Sequence, residues 1–312
     1  MPYDLKLFSG TANQPLAQKI SDYLEIPLGN RTIRTFADGE IFVKYEENIR
    51  GADVFIVQST NSPATNLIEL FLLMDAARKA SAKRVTAVIP YYGYCRQDRK
   101  DQPRVSISAK LMADLISKAG ANRMITMDLH AAQIQGFFDI PVDHLYSAMA
   151  FTPYFKELAI PDLVVVAPDT GSLGMARAYA KRLNVGLAFI DKRRPRANQV
   201  EVLNVIGEVE GRNILILDDM VDTAGTLCEA ARALKERGAG DIYAAATHGL
   251  LSGPAVERLE QSPIFEVIVT DTIDIPAEKQ FPDLEIVSVS NIFGEAIRRT
   301  YAEESISTLF DT

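Results

Sequence analysis

The chain has 312 residues, 47% of them hydrophobic and 24% charged, an ordinary balance for a soluble globular protein with sizeable cores. At roughly 150 residues per domain, two domains are expected. A net charge of −8 argues against broad binding to nucleic acid or anionic membranes. Two cysteines, Cys95 and Cys228, exclude a disulfide framework, and three histidines leave little for a Cys/His zinc site. No apolar run approaches the ~20 residues of a membrane span. The opening Met-Pro-Tyr-Asp-Leu-Lys lacks a signal-peptide layout, so a cytoplasmic location is expected.

In chain order, residues 32–36 and 40–45 flank Ala-Asp-Gly and predict a hairpin. A strand at 54–57, a helix at 66–79, a strand at 85–89, a helix at 108–118 and a strand at 124–127 follow. Farther on are a strand at 163–166, a helix at 172–182, strands at 186–190 and 214–217, a helix at 226–236, and strands at 242–246, 265–269 and 285–289. Most strands are unbroken apolar runs without period-two alternation, as in sheets buried on both faces. The helices carry apolar residues three and four apart. Such repetition predicts an α/β fold of mainly parallel sheets flanked by helices.

The chain also repeats a plan. A strand ending at Pro90, a loop, a helix, Ala119-Gly120-Ala121, a strand and His130 are echoed by a second series. That series is a strand ending at Asp218, a loop, a helix, Gly238-Ala239-Gly240, a strand and His248, with the same Gly-to-His spacing. Two similar domains, 1–146 and 147–312, are expected, with two unrelated αβ units as the alternative.

The strongest local signal is Ile214-Leu-Ile-Leu-Asp218-Asp219-Met-Val-Asp222-Thr223-Ala224-Gly225-Thr226. An apolar strand runs into a small-residue loop that opens a helix, where consecutive N–H groups and threonine hydroxyls suit an anion. Asp218 and Asp219 cannot bind phosphate but can accept from sugar hydroxyls. A plain acidic N-cap, with Asp222 capping, is the alternative. The string resembles the 5-phosphoribosyl-diphosphate loop shared by type I phosphoribosyltransferases and ribose-phosphate diphosphokinases. The resemblance implies that Asp218 and Asp219 hold ribose hydroxyls, and that Asp222, Thr223, Ala224, Gly225 and Thr226 surround the 5-phosphate.

Ala167-Pro168-Asp169-Thr170-Gly171-Ser172 likewise lies between an apolar run and a helix. It resembles the loop that holds the diphosphate, which implies a metal-binding role for Asp169. The usual form has two adjacent glycines, and Ser172 takes the place of the second. As bare structure the string is a turn and N-cap. Lys192-Arg193-Arg194-Pro195-Arg196 sets four cations in five residues just after the strand at 186–190. Ligands bind at the carboxyl ends of such strands, and cationic heads suit the charge that grows during phosphoryl transfer. A solvated charged face is the alternative. The run resembles the catalytic loop of diphosphokinases, implying catalytic roles for Lys192 and Arg194 and contact of Arg194 with ribose 5-phosphate.

In the N-terminal half, Arg96-Gln97-Asp98 sits in a long polar loop. It resembles the diphosphokinase ATP segment, where Arg96 would neutralise phosphate and Gln97 would both donate and accept. Met127-Asp128-Leu129-His130 ends a strand, and alternation would put Asp128 and His130 on one face. Its resemblance to the family segment at the ATP–magnesium site implies His130, and less directly Asp128, as metal ligands. His144 and His248 read as structural. Phe36-Ala37-Asp38-Gly39-Glu40 resembles the segment that contacts adenine of ATP in a neighbouring subunit, implying roles for Phe36, Asp38, Gly39 and Glu40.

Five ordered motifs thus make the chain similar to ribose-phosphate diphosphokinases along nearly its whole length. The resemblance implies a fold of two phosphoribosyltransferase-like domains and a reaction of ATP with ribose 5-phosphate. That reaction needs Mg²⁺ and gives 5-phosphoribosyl 1-diphosphate and AMP. It also implies a homo-oligomer, a hexamer in the family, whose ATP site is shared between subunits. A regulatory phosphate or ADP site would draw on Arg50, Ser81, Arg104, Ser305, Ser307 and Thr308. A phosphoribosyltransferase would leave the N-terminal half unexplained. In a non-catalytic regulatory relative, degraded loops would be expected, whereas Lys192, Arg194, Asp218 and 222–226 are intact.

Overall fold

A computed structural model describes residues 3–193 and 202–307, with the backbone alone at Lys192, Arg193, Val202 and Leu203. Two compact units share the chain without being contiguous. One comprises residues up to 147, 272–274 and those from 288 onward; the other comprises 148–271 and 275–287. The residues from 288 onward therefore group with the N-terminal unit, whereas the expected domains, 1–146 and 147–312, are unbroken segments.

In the first unit, β1 (Leu5–Ser9) leads into α1 (Gln14–Leu24). The Asn13 side chain caps that helix by accepting from Leu16 N–H at 3.2 Å, with Pro15 in the first turn. A two-stranded ribbon, β2 (Arg31–Thr35) and β3 (Ile41–Tyr45), follows. Then come β4 (Asp53–Val57), α2 (Thr65–Lys79), β5 (Arg84–Ile89), α3 (Ser108–Ala119), β6 (Arg123–Met127) and, after a 3₁₀ turn at Ala132–Phe137, β7 (Val142–Leu145). The five-stranded sheet runs β1-β4-β5-β6-β7, every pair parallel. All five residues of β4 are buried, which is why its sequence shows no alternation.

The second unit opens with α4 (Ala148–Leu158), β8 (Leu163–Ala167), α5 (Leu173–Leu183), β9 (Gly186–Arg193) and β10 (Val202–Ile206). It continues through β11 (Asn213–Val221), α6 (Gly225–Glu236), β12 (Ile242–Gly249), α7 (Ala255–Glu260), β13 (Glu266–Thr270) and β14 (Leu284–Val287). Its sheet order is β10-β9-β8-β11-β12-β13-β14, parallel except for the β9–β10 pair. Phe151, Phe155 and Tyr179 from α4 and α5 pack on one face of this sheet. Leu227, Ala231, Leu234 and Leu259 from α6 and α7 pack on the other. Each such burial stabilises by about 1.5–3 kcal/mol for the larger side chains. The last helix, α8 (Ser290–Ala302), returns to the first unit and lies against α1.

Four strands recur in one order: β4-β5-β6-β7 in the first unit and β8-β11-β12-β13 in the second. The start of the loop after β5 is packed shut. Tyr91 and Tyr92 are buried there, and the Tyr92 hydroxyl donates to the Ala109 carbonyl at 2.8 Å. The Tyr91 carbonyl accepts from Thr60 N–H at 2.9 Å, and Gly93 N–H donates to Thr60 Oγ1 at 2.7 Å. A Cβ at Gly93 would stand 2.1 Å from the Thr60 carbonyl oxygen, so only glycine fits.

Candidate functional site

The loop after β11 leaves Thr223 and Thr226 exposed. β11 lies parallel to β8, with Ile216 opposite Val166, so the segments leaving both strands are neighbours at their carboxyl ends. Asp169, just past β8, accepts at Oδ1 from Gly171 N–H (2.8 Å) and Ser172 N–H (3.0 Å). The Ser172 hydroxyl lies 3.1 Å from the same oxygen and 3.3 Å from Oδ1 of Asp218. Asp218 Oδ1 also accepts from Asp219 N–H at 2.9 Å. Burial, then the nearby Asp219 and Asp169 carboxylates, push the Asp218 carboxyl up to about 7. Crowded carboxylates of this kind are relieved by a cation or by hydroxyl donors, which is what a metal-bound sugar phosphate presents.

Two boundaries differ from expectation at this edge. The strand predicted to stop at Leu217 continues to Val221, because the ladder with β12 pairs Asp218 with Ala246, Met220 with His248 and Val221 with Gly249. Asp218 and Asp219 therefore sit within the strand rather than at its carboxyl end. Nor does Asp222 cap the helix: α6 starts at Gly225, with Ala224 as an N-cap in the left-handed region (φ 58°) and no side-chain cap bond. An alanine at the N-cap supplies no side-chain acceptor to the first turn of α6, a helix start that suits an anion. The turn is braced from behind by Arg258 of α7, whose Nη1 donates to the Thr223 carbonyl at 2.9 Å. Arg258 went unmarked by sequence reasoning, since a surface arginine 32 residues past Thr226 carries no local signal.

β9 likewise extends past the predicted strand at 186–190, through Arg193, held by the antiparallel pairing of Lys192 with Leu203 and Arg193 with Val202. Lys192 is thus on a strand rather than after one, and Arg194 lies outside the described residues.

In the first unit, the hairpin turn is closed by Phe36 N–H to the Glu40 carbonyl (2.8 Å) and Gly39 N–H to the Phe36 carbonyl (2.9 Å). Glu40 N–H donates to Asp38 Oδ1 at 3.1 Å, and Gly39 takes φ 94°, which favours glycine. Phe36 stands 45% exposed at the tip, edge-on to Phe42 at 6.1 Å, with the Arg34 guanidinium over both rings. Arg96 and Gln97 are exposed, and Gln97 is fixed through its carbonyl, which accepts from Ala109 N–H, and its side-chain oxygen, which accepts from the Ser108 hydroxyl. Asp98 accepts from Gln133 Nε2 at 3.0 Å.

The shared face expected for Asp128 and His130 does not form. β6 ends at Met127, and Asp128 turns to φ 37°, so strand alternation stops. Asp128 is buried and accepts from Ser147 N–H at 3.0 Å, whereas His130 is exposed. His144 is indeed held as a structural residue: Nε2 accepts from Leu129 N–H at 2.9 Å, and Nδ1 lies 3.1 Å from the Gln135 amide. Among the described residues, no group of three or more His, Cys, Asp or Glu side chains could hold a metal ion by itself.

Of the residues expected at a regulatory site, Arg50 and Ser81 are exposed on adjoining turns, joined by Gly51 N–H to the Ser81 carbonyl at 2.9 Å. Ser305 and Ser307, with hydroxyls 2.6 Å apart, line a cavity of about 710 Å³ together with Arg84, Arg123, Gln135 and His144. Arg104 is exposed, with φ 69°, in the long loop before α3, and Thr308 lies outside the described residues. No helix among the described residues is long and apolar enough to cross a membrane.

Residues 5–120 match the family description "N-terminal domain of ribose phosphate pyrophosphokinase", and residues 192–311 match "Phosphoribosyl synthetase-associated domain". A ribose-phosphate pyrophosphokinase of Chlorobaculum tepidum is 55% identical over 100% of this chain and 97% of its own length. One of Synechococcus elongatus is 53% identical over 98% and 93%. The crystal structure of phosphoribosylpyrophosphate synthetase from Mycobacterium smegmatis is similar with a TM-score of 0.91 at 43% identity, covering 96% of this chain and 99% of that one.

Proposed function

The chain belongs to the ribose-phosphate pyrophosphokinase family, and from that premise we propose how its own residues carry out the transfer. The enzyme moves the β,γ-diphosphoryl group of ATP to the 1-hydroxyl of ribose 5-phosphate. The hydroxyl oxygen forms a bond to the β-phosphorus as the bond from that phosphorus to the bridging oxygen breaks. AMP leaves with that electron pair, and no side chain is assigned as the general base.

The observation that carries the assignment of the sugar is the paired edge of β8 and β11. Asp218 and Asp219 accept from the ribose hydroxyls, and 222–226, with the start of α6, receive the 5-phosphate. Asp169 belongs to the diphosphate and its metal. Its Oδ1 is occupied by N–H and O–H donors while no hydrogen bond among the described residues reaches Oδ2, so a hard carboxylate oxygen remains for Mg²⁺. His130 is the second metal-binding residue and Asp128, which also accepts from Ser147 N–H, the third. When bound, Mg²⁺ supplies charge neutralisation of the polyphosphate. Lys192 and Arg194 stabilise charge on the transferred group, and Arg194 also contacts ribose 5-phosphate. Arg96 and Gln97 bind the ATP phosphates; Phe36, Asp38, Gly39 and Glu40 receive adenine across a subunit boundary in a homo-oligomer, a hexamer by resemblance. The enzyme works in the cytoplasm, with regulation by phosphate or ADP through Arg50, Ser81, Arg104, Ser305, Ser307 and Thr308.

The test is incubation with MgATP and ribose 5-phosphate followed by product identification. AMP together with phosphoribosyl diphosphate is the expected pair; ADP, or no reaction, would overturn the reading.

A further inference from the structure

Ser172 joins the loops that leave two neighbouring strands, and its hydroxyl is not used as a serine at a helix start ordinarily is. It is the N-cap of α5, yet its ψ of −5° departs from cap geometry and it makes no side-chain cap bond. The buried side chain instead points its Oγ at two carboxylates, 3.1 Å from Asp169 Oδ1 and 3.3 Å from Asp218 Oδ1. A hydroxyl has one proton to donate. Two acceptors from two strand ends therefore share one donor.

We propose that the Ser172 hydroxyl is a positioning group that couples the diphosphate side of the site to the ribose side, turning to Asp218 when a bound cation and polyphosphate engage Asp169. This rests on the assignment of ribose 5-phosphate to Asp218 and of metal and diphosphate to Asp169. Positive charge at Asp169 weakens that carboxylate's hold on the hydroxyl proton. Asp218 Oδ1 is then held by two donors, Ser172 O–H and Asp219 N–H, and its other oxygen is fixed in direction for a sugar hydroxyl. With the proton on Asp169, Asp218 keeps only the Asp219 N–H of that pair. The two substrates therefore bind with positive coupling, and linkage requires the same factor from either side. Ser172 touches neither reacting atom, so its effect falls on binding order and affinity.

The experiment is calorimetric titration of the full chain with ribose 5-phosphate, with and without saturating magnesium α,β-methylene ATP, and the converse titration. In that analogue carbon replaces the bridging oxygen at which transfer occurs, so no turnover intervenes. The wild-type chain should bind ribose 5-phosphate about fivefold or more tightly with the analogue present. Ser172→Ala should leave the affinity for ribose 5-phosphate alone within roughly twofold and reduce the tightening to under roughly twofold in both directions. Ser172→Thr, which keeps the hydroxyl, should retain it. Absence of coupling in the wild type, undiminished coupling in Ser172→Ala, or equal loss in the alanine and threonine variants of a protein that still melts normally would overturn the proposal. Asp218→Asn separates the two levels. If it binds ribose 5-phosphate as well as the wild type, the sugar assignment itself fails. If it weakens binding while Ser172→Ala keeps the coupling, only the role of Ser172 fails.

Discussion

Asp218→Asn should stabilise the magnesium-free protein at alkaline pH while weakening its hold on ribose 5-phosphate. The carboxyl titrates near 3.8 in an unfolded chain and is pushed up to about 7 here by burial and by Asp219 and Asp169. Below pH 3.8 it is protonated in both states and has no effect. Between about 4 and 7 the folded protein keeps a proton that the unfolded chain has released, so folding stability falls as pH rises; above 7 the full loss is in place. Three pKa units would correspond to an upper bound of about 4 kcal/mol. Relaxation of the neighbouring carboxylates and partial solvent access bring this to about 1–2 kcal/mol. Asparagine keeps the shape and removes the charge, so its Tm should exceed that of the wild type by roughly 2–6 °C at pH 8 and hardly at all at pH 4. Thermal melts at both pH values in the presence of chelator read this directly. Equal Tm differences at the two pH values, or a lower Tm for Asp218→Asn at pH 8, would refute the electrostatic account of this edge.

Lys192→Ala should lower kcat by roughly 10²-fold or more with smaller changes in KM, as for a contact made mainly in the transition state; near-normal kcat would remove Lys192 from catalysis. Asp218→Asn should raise KM for ribose 5-phosphate more than for ATP, and Arg96→Ala should do the reverse; equal effects from both would mean the loops are misassigned. Phe36→Ala and Lys192→Ala proteins, each poorly active alone, should recover toward roughly one quarter of wild-type activity when co-assembled at random; no recovery in demonstrated mixed oligomers would place Phe36 in its own subunit's site. Glu69 is buried and accepts from Thr11 N–H (2.6 Å), Thr11 Oγ1 (2.8 Å) and Gln58 Nε2 (2.9 Å), so Glu69→Ala should cost about 3–5 kcal/mol in denaturant unfolding, and a loss below about 1 kcal/mol would contradict that network's importance.

How much of this was legible in the sequence depended on whether a residue's partner lies nearby in the chain. β4 and β8 announce themselves as apolar β-branched runs, because burial on both faces leaves no room for polar alternation. β7 does not, because its centre is Asp143 and His144, whose partners, Arg123 and the Leu129 N–H, become neighbours only in the fold. The same holds for the strand extensions at Asp218–Val221 and Lys192–Arg193: charged residues read as the end of a strand, and only the facing ladder from β12 or β10 keeps them in it. The loop motifs at 167–172 and 214–226 could be read because consecutive residues supply their donors. The shared Ser172 hydroxyl and the brace from Arg258 could not, since each joins segments 35 or more residues apart.

The recurrence of one strand order in both units gives the chain a division of labour between copies. An open edge must tolerate crowded charges, and in a protein built from a single such unit that burden would fall on its only core. Here the first turn after β5 is closed by Tyr91, Tyr92 and the Gly93–Thr60 contact, while Arg96 and Gln97, farther along that loop, stay exposed. That closure also limits what mutation can make of it. Introducing acidic residues after β5 would not create a second sugar-phosphate cradle, because the aromatic side chains and the Thr60 backbone already fill the space. The duplicated scaffold is thus asymmetric in evolvability: one edge can be retuned by changing side chains, while the other would first have to be unpacked.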